Sequence, residues 1–581
     1  MTTRCWTCVF LLWTFAQQPP PPSITGEWQA TVGRQHLMLR VEQAPSGPLK
    51  GTFANVDAKS EIALDTLTID AQRVVTFEIK ASGATFEGKL SADGSEIGGT
   101  MHQAGASVPL VFRRPGVAPA AFTLKPITKG RVHLEPCPAA GGAIEALCGP
   151  YEVFENRQTR TGRRIALNVM LIPAKAAEAT TDPLFAFAGG PGESATAAFP
   201  SIGYIQRVHE QRDVVLVDQR GTGKSNPLEC QLVNLDDPAA VLSPAYGLDA
   251  LRSCRAASDS KADTTQYTTS IAADDVDDVR EALGYTTINV FGGSYGARAA
   301  LVYLRRHGGH VRTLTLSAVA GTDFLIPLPF AKALQSSIDG VISLCNADNA
   351  CRKAYPELRE RFHALLARLQ TAPAEFDVHG RHVTLTEEAF LSKLRSLLYV
   401  PQFVSGFPIL MEHAFQGDWL PFAGAVLELR TLIEGDVARG ASFAAICAED
   451  VPAYTPARIR EATAGTDLGD AQVRRYQEYC KAWGHAGTVP KDFYAPVASR
   501  VPALLISGEL DPATPPATAV AAAAALPESR SIVVKQGTHG TGSACVDGIV
   551  ADFISRGSAK GLDTSCVDGI HLPSFLTESG R

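Results

Sequence analysis

INVFGGSYGARAALVYLRRH, residues 288–307, decides the fold of this chain. It opens on a short apolar run of the kind that forms a buried strand, and from Ala297 it continues as a helical stretch. Between them lies Gly292-Gly293-Ser294-Tyr295-Gly296, a G-x-S-x-G. A serine nucleophile needs a sharp strand-to-helix turn with strained backbone angles, and small neighbours let strand and helix pack closely. The pentapeptide alone is weak evidence, because turns containing Gly and Ser are common. Strand before and helix after are the context its chemistry requires. Ser294 is the candidate nucleophile.

Working outward, LFAFA (184–188) and VVLVD (214–218) are continuous apolar runs, as buried parallel strands are. The first ends in Gly189-Gly190-Pro191-Gly192. Acyl transfer needs two backbone N–H groups aimed at the developing oxyanion. One is expected from Tyr295, just after the nucleophile, and one from Gly190. On the other side, ISGELDPATP (506–515) and VVKQGTHG (533–540) place Asp511 and His539 in loops after successive strands, in the chain order Ser, Asp, His. Glu509 is the competing acid. Asp511 is preferred because it lies beyond the strand, in a turn with Pro512. In these roles His539 takes the Ser294 proton, Asp511 holds the imidazole tautomer, and no metal or organic cofactor is called for.

The flanking textures divide the chain. Residues 1–22 are expected to be a signal peptide and linker: Arg4 precedes the apolar run Cys5 to Ala16, and a proline-rich exit follows. Between 23 and 114, runs such as HLMLRV, VVTFEI and SVPLVF alternate apolar and polar residues, which predicts a small antiparallel β-domain. From 120 to 323 strands and helices alternate, giving the first part of a parallel, doubly wound α/β core. Thr269 or Ser270 is expected to cap a helix through ADDVDDVREALG. Residues 324–499 turn helical, with PELRERFHALLARL and EEAFLSKLRSLL, and are expected to form a cap over the strand C-termini. Residues 500–581 complete the core.

Composition narrows the partners. The chain has 581 residues, 45% hydrophobic and 19% charged, with a formal net charge of -7, so no basic patch is available for nucleic acid. No uncharged apolar run beyond the N-terminus approaches the ~20 residues of a membrane span. Of 12 cysteines, Cys5 and Cys8 lie in the leader. The remainder fall as neighbours: Cys137 and Cys148, Cys230 and Cys254, Cys345 and Cys351, Cys447 and Cys480, Cys545 and Cys566. An even set in an exported chain implies disulfides, and short loops favour sequential pairs, although spacing alone does not fix connectivity. The mature protein is expected to be secreted or periplasmic.

GGPG, DQRGTGKS (218–225), GGSYG, GELDPATP and GTHG together resemble the proline iminopeptidase and tripeptidyl-aminopeptidase family of α/β-hydrolases. The stretch from His539 to Cys566 resembles the C-terminal segment of the secreted tripeptidyl-aminopeptidase-like branch, Cys pair included. The likeness runs from about Cys137 to Cys566 and leaves out the β-domain before Arg114. It implies hydrolysis near the free N-terminus of a peptide, with Asp218 and Arg220 buttressing the loop beneath the site. Such a substrate carries an ammonium group that is costly to bury unless a carboxylate accepts it. Glu449 and Asp450, in AICAEDVP, are the first candidates for that anchor, and Glu193, just past GGPG, is the alternative. A triad does not choose between ester and amide, so an esterase or amidase acting on small acyl compounds is the rival; a catalytically silent hydrolase-like binding protein is the third reading.

Overall fold

Alternation at period two builds the N-terminal sheet. Ala84–Leu90 buries every second side chain, and eight further strands between 26 and 113 pair with their neighbours antiparallel. The inward set is aromatic: Trp28, Phe77, Phe86 and Phe112 are fully buried, with Phe77 stacked on Phe86 at 4.9 Å. The computed structural model describes residues 23–577 apart from 33–34, 44–46, 58–59, 104–105, 119–121 and 435–436. The expected leader lies outside the described residues.

A second sheet has ten strands. Ile127–Lys129, Val132–Ala139, Ile144–Phe154 and Arg164–Ile172 form an antiparallel meander at one end. Six parallel strands follow in the spatial order Arg212–Val217, Thr180–Phe187, Ile288–Gly293, Val311–Ser317, Ala503–Gly508, Ser529–Val534. The expectation of a parallel sheet therefore holds for these six. The first four are joined by connections too short for the crossover that parallel strands need. Thr180–Phe187 has Arg212–Val217 on one side and Ile288–Gly293 on the other, so strand order reverses there. In open α/β sheets ligands bind at the carboxyl ends of strands beside such a switch point, which is where GGPG and GGSYG stand.

Between Val311–Ser317 and Ala503–Gly508 the chain leaves the sheet for an insertion. Its helices include Phe330–Ala347, Leu358–Thr371, Glu387–Leu397, Pro401–Gln416, Arg439–Glu449 and Ala471–Trp483, with a core of its own around Phe362, Phe390, Phe407 and Phe422. It is not wholly helical. Ala374–Val378 and Arg381–Leu385 form a hairpin, closed by His379 and Gly380 at positive φ. All five sequential cysteine pairs are bonded, with Cα separations from 5.2 to 5.9 Å. No helix among the described residues is long and apolar enough to cross a membrane.

Candidate active site

Ser294 stands between Ile288–Gly293 and the helix Tyr295–His307, at φ 57° and ψ −125°. A non-glycine residue at positive φ is strained and keeps that conformation only when its surroundings impose it. Packing at the elbow does so. A Cβ on Gly296 would overlap the carbonyl oxygen of Phe187, so helix and strand touch backbone to backbone. Ser294 N–H donates to Ser317 O at 3.0 Å, tying the elbow to the next strand. Tyr295 is the first helical residue, and its N–H has no acceptor within the helix.

Asp511 is buried, and four donors converge on its carboxylate. Ala513 and Thr514 N–H groups reach Oδ1 at 2.8 and 2.9 Å, Thr514 Oγ1 reaches Oδ2 at 2.7 Å, and His539 Nδ1 lies 3.0 and 2.9 Å from the two oxygens. Burial works to raise this carboxyl, but the His539 ring and the Thr514 donors outweigh it and hold the group below the ordinary carboxylate range. Glu509 is exposed and accepts the Gln536 N–H, which straps the acid loop to the histidine loop. The histidine loop also reaches the elbow's neighbour, through Thr541 Oγ1 and Ser317 Oγ at 3.1 Å.

One contact is not legible in the sequence. Tyr399, from the insertion, stacks on the His539 ring with centroids 4.5 Å apart, and its carbonyl accepts the Thr538 hydroxyl at 2.8 Å. The base is thus fixed at its edge by Asp511 and at its face by Tyr399.

Gly189 to Gly192 crosses over the elbow, with Gly190 and Gly192 at φ 99° and 110°. A Cβ at Gly189 would stand 3.0 Å from Glu193 Oε2 and 3.4 Å from Ser294 Cβ, so the Glu193 carboxylate and the serine both flank Gly189. That carboxylate accepts Gly189 N–H at 3.1 Å. Below, Asp218 is wholly buried and accepts from Ser194 Oγ, Thr196 N and Lys224 N at 2.8, 3.0 and 3.1 Å. Arg220 is paired with Asp275 through Nε and Nη2 at 2.6 and 2.9 Å. Both side chains knit DQRGTGKS to the segments around it.

Glu449 and Asp450 require a correction as ammonium anchors. Both are fully buried, and the protein's own donors occupy them. Thr269 N and Oγ1 each reach Glu449 at 2.6 Å. Arg298 Nη2 and Ile326 N reach Asp450 Oδ1 at 2.9 and 3.0 Å. No solvent reaches either group, and their oxygens are already taken by these donors. Burial raises the Glu449 carboxyl to about 7, against the pull of Arg298 and the Thr269 donors, and raises Asp450 in the same direction. Of the three expected anchors Glu193 is the one on the GGPG loop, with Gly189 between its carboxylate and Ser294. Nor does Thr269 or Ser270 cap its helix: Thr268 is the N-cap and Thr269 the first helical residue, its N–H taken by Glu449.

Among the described residues one group, Asp277, His307 and His310, has the spacing of metal ligands. Arg280 and Tyr303 already donate to Asp277, at 2.6 and 2.8 Å, and His307 and His310 join them in an ion-pair network at the far end of the helix from Ser294.

Residues 183–541 match the family model described as alpha/beta hydrolase fold. A protein of Escherichia coli (strain K12) named as a hydrolase, YuaR, is 24% identical over 247 residues, 39% of this chain and 48% of its own. The chain thus spans about half the length of that curated relative. Similar solved structures include a thermophilic esterase from Thermogutta terrifontis, at 14% identity and TM-score 0.33 over 71% of this chain and 99% of that one. A proline iminopeptidase of Mycobacterium smegmatis gives 16% identity and TM-score 0.29 over 70% and 98%.

Proposed function

The chain belongs to the α/β-hydrolase family, and from that premise we propose that it is an exported serine aminopeptidase, cleaving peptides at a free N-terminus through an acyl-enzyme. Ser294 Oγ attacks the scissile carbonyl while His539 Nε2 takes its proton, and Asp511 steadies the imidazolium. The N–H groups of Gly190 and Tyr295 receive the oxyanion. Collapse of the tetrahedral adduct breaks the C–N bond, and His539 returns the proton to the departing amine. Water, deprotonated by the same imidazole, then releases the acid and restores the serine.

The observation that carries the peptidase reading is the Glu193 carboxylate across Gly189 from Ser294. A carboxylate so near an oxyanion site opposes the charge that develops there. An ammonium bound to it reverses that effect and at the same time fixes the substrate's register. On this reading an ammonium held at Glu193 lies about one extended residue, roughly 3.5 Å, from the bond attacked. Release of single N-terminal residues follows. Five disulfides support an oxidising compartment, where such bonds persist.

Glu193→Gln tests the anchor. It should lower kcat/KM on aminoacyl amides by about 2–3 kcal/mol, the worth of a charge-assisted hydrogen bond, and leave N-acetylated amides and short esters nearly unchanged. Equal losses on all three would assign Glu193 to the loop's architecture. Faster turnover of p-nitrophenyl esters than of any free-amine amide would favour the esterase reading.

A further inference from the structure

The two oxyanion donors belong to separate loops, one after Thr180–Phe187 and one after Ile288–Gly293. Donors act only when held about 2.7–3.1 Å from the position the oxyanion will take, and a tolerance of about 0.5 Å is all such a site allows. A loop of three glycines has little stiffness of its own. Its rigidity must come from what packs against it.

One stretch of the insertion, residues 437–450, meets both loops. At its start Val437 forms a bridge with Glu193, and Ala438 N–H donates to Gly192 O at 2.9 Å. The fit leaves no slack: a Cβ on Gly192 would stand 2.9 Å from Ala438 O and 3.0 Å from Val437 Cγ1. The helix Arg439–Glu449 then runs buried from Gly440 to its end. At its close Glu449 accepts from Thr269, whose hydroxyl is hydrogen-bonded to Tyr295 OH. Asp450 pairs with Arg298, one turn beyond Ser294 on the elbow helix. The Glu449 carboxylate also stands at the N-terminus of Thr269–Ala282, where the helix dipole favours negative charge. The Cys447–Cys480 disulfide and the packing of Phe443 on Trp483 bind this helix to Ala471–Trp483.

We infer that residues 437–450 are a brace that sets the spacing of the oxyanion hole, with Ala438 positioning the Gly190 loop and Glu449 and Asp450 positioning Tyr295. The inference rests on the serine-hydrolase reading but not on the peptidase one. It also gives the two buried acids a function other than substrate binding. Removing either end of the brace lets one donor drift while leaving Ser294, His539 and Asp511 where they are.

Two variants cut the ends separately. Ala438→Pro removes the N–H given to Gly192, and Ala438 already sits at φ −69°, the value proline imposes. Thr269→Val removes the hydroxyl between Glu449 and Tyr295 at constant shape. Each is assayed with p-nitrophenyl acetate, an ester without an amine, and with phenylboronic acid, which forms a tetrahedral adduct on the serine. Each should lower kcat about 10- to 100-fold, short of the 10²–10³ lost with a whole donor. KM should change less than about threefold, and the inhibition constant for the boronic acid should rise in step with the fall in kcat. Because the ends hold different donors, the double variant should show the product of the two effects. A kcat within twofold of wild type for both variants, or losses appearing in KM alone, overturns the brace. Should Ala438→Pro fail to fold, Thr269→Val together with Tyr295→Phe, which cuts the same link from its other side, decides in its place. A wild-type protein active on the ester but not on free-amine peptides sinks the peptidase reading and leaves the brace standing. One that hydrolyses neither and binds no boronic acid overturns both.

Discussion

Ser294 keeps a strained backbone because Gly296 lets the helix meet the strand, and Asp511 keeps its charge because four donors surround it. Asp511→Asn preserves those contacts in shape but supplies an amide that no longer selects the imidazole tautomer, so kcat should fall by about 10⁴. Glu509→Gln should cost less than about twofold, since that side chain only accepts from Gln536; the reverse ranking would transfer the orienting role to Glu509. Glu449 makes a prediction in pH. Its carboxyl is raised to about 7 in the fold, facing Arg298, Asp450, Thr269 and Tyr295, and titrates near 4.3 when unfolded. Between these values the native state holds the proton more tightly, so this group's contribution to stability declines as pH rises through that window. Thermal unfolding of wild type measured against Glu449→Gln should therefore show a difference in Tm that moves against wild type from pH 5 to 8. A difference constant across that range would mean the carboxyl stays ionised throughout.

Parallel strands and their loops carry the site, and these are the elements the sequence makes legible. Strands buried on both faces are continuous apolar runs, and the turn after each is marked by Gly, Pro or an acid, so the positions of Ser294, Asp511 and His539 follow from local pattern. Gly296→Ala tests the tightest of these joints. The added methyl has no space against Phe187 O, and overpacking of this kind costs about 1–3 kcal/mol, visible as a lowered Tm together with loss of turnover; wild-type stability and rate would show that the elbow relaxes freely. Contacts spanning long stretches of chain leave no local trace. Tyr399 meets Thr538 across 139 residues and Glu449 meets Thr269 across 180, so neither the stacked ring nor the buried acids can be assigned from spacing. The hairpin at 374–385 is a different case. FDVHGRHVTL carries a two-residue turn between alternating runs, a local signal outweighed by the helical texture on either side.

At the scale of the molecule the insertion is fastened to every loop of the candidate site. Ser337 donates to Leu510 O at 2.7 Å beside the acid, Tyr399 backs the base, and residues 437–450 join the GGPG loop to the elbow. The C-terminal stretch adds a strap: Leu572 N–H donates to Gln536 Oε1, and Leu576 N–H to Ser405 O, so the tail crosses from core to insertion. The N-terminal sheet touches both as well, Arg113 donating to Gly141 O at 3.3 Å and Arg430 of the insertion to Asp57 O. A site assembled this way depends on the whole native chain, and the test of its chemistry uses that dependence. Treating the intact protein with a fluorophosphonate and mapping the adduct by peptide mass spectrometry should find one label per chain, on Ser294, with turnover lost in proportion and no label on unfolded protein or on Ser294→Ala. A label on another residue, or Ser294→Ala that folds and still turns over substrate, would contradict the account.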